Sequence, residues 1–234
     1  VTIAALLLAA GESTRMGRLK QLLPWEGEPL VAWQARQLRD AGVDEVVVVL
    51  GHAAEEIAPW VPAFARAVVN AAYREGRATS LRRGAEALGD EVEAVVILSV
   101  DQPRPAWVTR KLIERWGAGP HPSPLPLRYS AGDPEGEGTG AAPRGEAGTD
   151  GRPLVVSPRF SRGFGHPNLL DGSLIAELRE VDEATLGLRA VIDRHVDRAV
   201  SVSIPNDAVN VDLNTAGDYE VALAAFESGK WAEV

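Results

Sequence analysis

The chain has 234 residues, 45% of them hydrophobic, which is enough to bury the core of one α/β domain. Its formal net charge of -9 argues against a general binder of nucleic-acid backbones, so any small anion must be met by a local cluster of cations. There is no cysteine, which excludes disulfides, thiolate nucleophiles and cysteine-based zinc sites, and the four histidines (His52, His121, His166 and His195) lack the HExxH or any other metal-ligand spacing.

In chain order, residues 3–9 form a continuous apolar run that breaks at Gly11. The run is too short to span a membrane and no basic region precedes it, so it reads as a strand buried on both faces. A cytoplasmic protein with no membrane partner is the expectation. Residues 30–41 have the spacing of an amphipathic helix stopped by Gly42, and residues 45–50 (EVVVVL) read as a second buried strand. Strand, helix and strand make a βαβ unit, whose crossover is right-handed.

Residues 67–70 are a short strand candidate and residues 79–88 a helix. Residues 94–100 (AVVILSV) read as a strand and residues 105–116 as a helix with proline in its first turn. Next come an apolar stretch at 154–157, a helix at 173–180 and an apolar segment at 186–195. Residues 199–204 and 209–213 read as strands, and residues 215–227 as a closing helix in which Thr215 and Asp218 have capping-box spacing. Residues 117–152 are rich in Gly, Pro, Ala and Ser without periodicity. They are expected to be a flexible insertion within a single domain covering residues 1–234.

The chemistry concentrates in residues 8–24, LAAGESTRMGRLKQLLP. A buried strand runs into a loop of small residues with two glycines, two hydroxyls and three basic side chains. Small residues let backbone N–H groups approach phosphate oxygens, and Arg15 and Lys20 add charge. The end of a strand is also where open α/β sheets bind ligands. The loop is neither a P-loop, since Arg18 follows Gly17 and Gln21 follows Lys20, nor a GxGxxG fingerprint.

This stretch resembles the LAxGxSxRMGxxK signature of MobA-like nucleotidyltransferases, and within that group it is most similar to molybdenum cofactor cytidylyltransferases. The resemblance covers nearly the whole chain except the insertion. It implies a Rossmann-like α/β fold of the nucleotide-diphospho-sugar transferase type, with a mostly parallel sheet and helices on both faces. It implies nucleotide-binding roles for Leu8, Ala9, Ala10, Gly11, Ser13, Arg15 and Lys20, with Ala10 in place of a second glycine leaning towards CTP over GTP. Residues 70–84 (NAAYREGRATSLRRG) match the segment beside base and ribose, adding Asn70, Gly76, Ser80 and Leu81. Asn70 and Ser80 have groups able to read a base edge, and Gly76 allows close backbone approach; Ser80 equally suits a helix cap.

Asp101, in Ser99-Val100-Asp101-Gln102-Pro103, matches the family's D-x-P motif, and a carboxylate at a strand's end facing a triphosphate loop suits Mg²⁺. Lys20, Arg15 and Asp101 are thus the expected catalytic residues. Residues 163–170 (GFGHPNLL) resemble a G-H-P stretch on the acceptor side, implying Gly165, His166 and Pro167. His166 suits either a phosphate or pterin contact or a packed turn. Residues 210–218 (NVDLNTAGD) resemble a closing D-I-D-T-P-E-D motif, with Asn214 where Asp is frequent and Ala216-Gly217 for Pro-Glu. A second metal ligand therefore comes from Asp212 or Asn214.

The implied reaction is attack by the phosphate of molybdopterin on the α-phosphorus of CTP, with Mg²⁺ as cofactor and pyrophosphate as leaving group. A molybdoenzyme receiving the cofactor is the implied protein partner. Use of GTP or of another phosphorylated acceptor such as a sugar phosphate, non-catalytic delivery of a cofactor, and an oxidoreductase on the same scaffold stay open.

Overall fold

The computed structural model describes residues 1–119, 151–161, 163–184 and 187–233. The elements run β1 (Thr2–Ala9), a hairpin of β2 (Pro24–Trp25) and β3 (Glu28–Pro29), α1 (Leu30–Asp40), β4 (Glu45–Leu50), α2 (Ala54–Ile57), β5 (Arg66–Val69), α3 (Arg77–Glu86) and β6 (Val92–Ser99). After α4 (Ala106–Gly117) follow β7 (Val155–Phe160), β8 (Gly163–Phe164), β9 (Asn168–Asp171), α5 (Ile175–Leu178), α6 (Leu188–Arg194), β10 (Ala199–Ser203) and α7 (Ala216–Glu227).

One sheet holds eight of these strands in the order β10-β7-β9-β6-β1-β4-β5, with β8 paired to β7. β1 is parallel to both β4 and β6, β4 to β5, and β10 to β7. β9 runs antiparallel to β6 and β7, and β8 antiparallel to β7. The result is a mostly parallel α/β sheet, as the sequence led one to expect.

Strand β1 sits mid-sheet and is covered on both sides, which is why it reads as an unbroken apolar run. Ala5, Leu7 and Ala9 belong to one core cluster, with Leu30, Trp33 and Leu38 of α1, Leu112 of α4 and Tyr219 and Ala222 of α7. Ala4 and Leu6 point to the other, with Leu81 and Ala85 of α3, Ile175 and Leu178 of α5 and Val191 and Ile192 of α6. Helices therefore lie on both faces. Among the described residues, no helix is long and apolar enough to cross a membrane.

The register sets the site. Leu8 pairs with Ser99 and Ala9 with Leu50, so the chain leaves β1, β4 and β6 at one level. Val100 N–H donates to the Leu8 carbonyl at 2.9 Å, carrying this alignment one residue past the end of β6.

Two readings are corrected and one strand is added. Residues 209–213 are not a strand: a 3-10 turn covers Asp207–Asn210, begun by the Asn206 side chain accepting from Ala208 N–H at 3.2 Å. Single bonds then replace a ladder, with His166 N–H on the Val209 carbonyl at 3.0 Å and Leu213 N–H on the Asp101 carbonyl at 2.8 Å. The helix expected at 173–180 is a 3-10 turn, Gly172–Leu174, followed by the short α5. Strand β9, bounded by Pro167 and Gly172, was read only as part of a motif. Most of the expected insertion at 117–152 lies outside the described residues.

Helix α7 begins with the expected capping box: Thr215 Oγ1 accepts from Asp218 N–H at 3.2 Å, and Asp218 Oδ2 accepts from Thr215 N–H at 2.7 Å. Thr215→Ala is expected to cost about 1 kcal/mol and to lower the melting temperature by roughly 2–4 °C. An unchanged melting curve would show that the cap contributes nothing.

Candidate active site

The loop after β1 is tied to the sheet from within. Gln21, 1% exposed, donates from Nε2 to the carbonyls of Ala9 at 2.8 Å and Gly11 at 3.0 Å. Ser13 adopts φ 55°, a left-handed conformation uncommon outside glycine. Its Oγ accepts from Lys20 N–H at 3.1 Å, and its carbonyl accepts from Met16 N–H at 3.0 Å. The loop thus closes on itself and returns Lys20 to the end of the sheet.

There Lys20 Nζ lies 3.0 Å from Asp101 Oδ2, and the two side chains are only 11% and 17% exposed. The pair joins the first loop to the turn after β6. The chain around Asp212 is fastened to the same turn, because Leu213 N–H donates to the Asp101 carbonyl at 2.8 Å. Gln102 Nε2 donates to Asp212 Oδ1 at 2.9 Å, and Arg15 donates to Asn214 Oδ1 at 3.2 Å. Asp101 and the two alternatives for a second metal ligand, Asp212 and Asn214, thus come from two turns bonded to one another. Among the described residues no group of three or more acidic or histidine side chains could by itself cage a metal. Asp101 alone of the three lines the adjoining cavity, and a single carboxylate there suits Mg²⁺, which takes one or two carboxylates and completes its shell with phosphate and water.

A cavity of about 220 Å³ opens here, and Leu8, Ala10, Gly11, Ser13, Arg15, Lys20, Ser80 and Asp101 line it together. Thr14, Gln21, Arg77, Ser99 and Val100 complete the wall. Arg77 was not singled out from the sequence; a basic residue directly after Gly76, at the start of α3, was its signal. A Cβ built on Gly11 would meet nothing within 4 Å, so the protein's own packing does not demand glycine there.

Other expected nucleotide residues lie behind the wall. Ala9 is fully buried and Leu81, 3% exposed, packs in the core. Asn70, 4% exposed, donates from Nδ2 to Thr79 Oγ1 at 2.9 Å and Ser80 Oγ at 3.0 Å, while its Oδ1 accepts from Ala72 N–H at 3.0 Å. It braces the start of α3. Gly76 has φ 123°, and a Cβ there would lie 2.2 Å from Glu183 Cγ, so the group that approaches this glycine is Glu183.

On the other flank, a Cβ on Gly165 would lie 2.2 Å from the Val209 carbonyl oxygen, so the chain between β8 and β9 packs directly on the 3-10 turn. Arg104, 1% exposed, donates to the carbonyls of His166, Pro103 and Val209, each at 2.9 Å. Burial pushes its pKa down to about 9 against the pull of Asp212 and Asp101, so it stays charged at neutral pH. Sequence reasoning missed this strut, whose partners are all main-chain atoms.

Burial, reinforced by the charges of Arg104 and Arg77 against the pull of Asp212 and Asp101, pushes the His166 pKa down to about 4, so its imidazole is neutral at physiological pH. The folded value lies below the ordinary 6.5. As pH falls through 6.5 the unfolded chain takes a proton that the native ring refuses until about pH 4, so stability present above that window is lost across it. Thermal melts from pH 7 to pH 4 are expected to fall more steeply for the wild type than for His166→Gln. Parallel curves would contradict a histidine held neutral by the fold.

Several known proteins are similar. A bifunctional protein GlmU of Acetivibrio thermocellus is 39% identical over 106 residues, 43% of this chain and 22% of that protein. The match thus spans about a fifth of that relative's length. The crystal structure of Rv0371c from Mycobacterium tuberculosis superposes with a TM-score of 0.71 at 21% identity, covering 96% of this chain and 98% of that one. The same Mycobacterium protein has also been solved in complex with manganese, with a TM-score of 0.67 at 20% identity, covering 96% of this chain and 100% of that one. A nucleotidyl transferase of Methanothermobacter superposes with a TM-score of 0.69 at 22% identity, covering 97% and 98%. These structures share the fold. The model of the MobA-like NTP transferase domain matches residues 5–199, most of the chain and every strand described from β4 to β9, and the chain belongs to that family.

Proposed function

We propose that the protein is a magnesium-dependent nucleotidyltransferase that moves CMP from CTP to the phosphate of molybdopterin and releases pyrophosphate. The observation that carries this reading is the Lys20–Asp101 pair at 3.0 Å on the wall of the cavity beyond β1 and β6. A cation for phosphate and a carboxylate for a divalent metal stand side by side where α/β sheets bind nucleotides. Family membership supports nucleotidyl transfer, and the manganese in the Mycobacterium protein supports a divalent cation. The choice of CTP and molybdopterin rests on the resemblance of residues 8–24 and 163–170.

In the reaction an oxygen of the acceptor phosphate attacks the α-phosphorus, forming one P–O bond while the bond to the β-phosphate oxygen breaks. A phosphate monoester is already anionic near neutral pH, so no general base is needed. Catalysis then falls to positioning and charge neutralisation. Lys20, Arg15 and Arg77 hold the triphosphate, and the loop's small residues, Ala10 and Gly11, let main-chain N–H groups approach it. Without nucleotide, Lys20 and Asp101 neutralise each other. With nucleotide bound, Lys20 turns to phosphate and frees the Asp101 carboxylate. Magnesium held by Asp101, with Asp212 or Asn214 as a second ligand, would polarise the phosphate oxygens as a Lewis acid. The reading places the enzyme in the cytoplasm and makes a molybdoenzyme the recipient of its product.

Thermal stabilisation by CTP, GTP, ATP and UTP, each with and without Mg²⁺, tests the nucleotide. A ligand at about 100 times its Kd adds roughly 2.7 kcal/mol. CTP with Mg²⁺ is expected to give the largest shift, and Lys20→Ala and Asp101→Asn to lower turnover at least about 100-fold. A larger shift with GTP would overturn the choice of base. Full activity in both variants would overturn the catalytic reading.

A further inference from the structure

Behind the acceptor flank, a chain of side chains ends on His166 and is used by nothing above. Ser157 on β7 and Asn168 on β9 are 0% and 1% exposed. They face one another one step beyond the last paired residues, Val156 and Leu169. Ser157 Oγ donates to Asn168 Oδ1 at 2.6 Å, and Asn168 Nδ2 lies 3.2 Å from His166 Nδ1. His166 itself is partly exposed, unlike the two residues behind it.

A buried hydroxyl must place its proton on an acceptor, and here that acceptor is the amide oxygen. With Oδ1 so engaged, the amide presents its N–H to the imidazole. Nδ1 must then be the bare nitrogen, and the single proton of the neutral ring sits on Nε2. Turning the amide over would take from the Ser157 hydroxyl the acceptor it has now. The charges of Arg104, Asp212, Asp101 and Arg77 act on the same ring, and Nε2 is the nitrogen that Asn168 leaves unengaged.

We propose that Ser157 and Asn168 are positioning residues that hold His166 in its Nε2–H tautomer, so that Nε2–H is a neutral donor to a non-reacting oxygen of the acceptor's phosphate. The identity of that phosphate as the acceptor's rests on the transferase reading; the tautomer does not. A neutral donor suits this place, because a second cation beside the attacking oxygen would hold its lone pairs and blunt the attack. Asn168 then selects for an acceptor that brings a phosphate oxygen to Nε2.

The test is the imidazole ¹⁵N spectrum of the full chain at pH 7, with His166→Gln identifying the resonances. The expected result is an unprotonated Nδ1 and a protonated Nε2. In Asn168→Asp the carboxylate accepts from Nδ1–H instead, and the proton moves to Nδ1. Ser157→Ala, which removes one oxygen, covers the case in which a buried carboxylate prevents folding; it is expected to give a mixture of the two tautomers. With inorganic phosphate as the probe, the half-saturating concentration read at Nε2 is expected to rise about tenfold in either variant. A wild-type ring protonated on Nδ1, or variants that keep both the wild-type tautomer and its phosphate response, would overturn the proposal. The spectrum needs no turnover, so its outcome is separate from that of the nucleotide experiment.

Discussion

The site depends on the parallel pairing of β1 with β6. Leu8 opposite Ser99 fixes where the two chains leave the sheet, and Ala10, Gly11, Val100 and Asp101 of the cavity wall lie within three residues of that point. Parallel neighbours end at the same edge, so their loops meet without either having to reach. Lys20 and Asp101, 81 positions apart in sequence, close a 3.0 Å contact across that edge. Shifting the register by one residue would turn Asp101 to the opposite face and leave Lys20 unpaired in a buried place, at a cost in both stability and chemistry.

Buried polar side chains then lock the turns in place. Gln34, 0% exposed on α1, donates to the Gln102 carbonyl at 2.6 Å and accepts from Arg104 N–H at 3.1 Å. Gln21 donates to the Ala9 and Gly11 carbonyls where the chain leaves β1, and Arg104 to the carbonyls of His166 and Val209. These groups lie beyond the ends of strands, where the ladder no longer satisfies main-chain atoms and no helix takes over. A glutamine or arginine that reaches several carbonyls replaces both. The cost is that each is buried, so losing one leaves several main-chain groups without partners.

The first half of the fold was legible because β1, β4 and β6 are covered on both faces and so make continuous apolar runs, with a helix between each pair. The second half was less so. β9 is four residues long, and the segment at 209–213 has the apolar content of a strand because Val209 and Leu213 are buried, although a 3-10 turn and single cross-bonds hold it. In the site, Lys20, Arg15 and Asp101 were legible because a short motif carries each. Arg77 and Arg104 were not. Arg77 joins the wall only through the placing of α3, and Arg104 acts on carbonyls 62 and 105 positions away, which no local pattern records. The roles expected of Asn70 and Leu81 show the reverse: a motif match located the right segment, while burial shows that these side chains brace the wall and do not line it.

The most direct measurement is transfer of label from α-³²P-CTP to molybdopterin, with pyrophosphate counted in the same reaction. One labelled acceptor is expected for each pyrophosphate released, with no release when acceptor is omitted. Pyrophosphate released without acceptor, or CTP bound with no label transferred to any phosphorylated acceptor, would contradict the transferase reading.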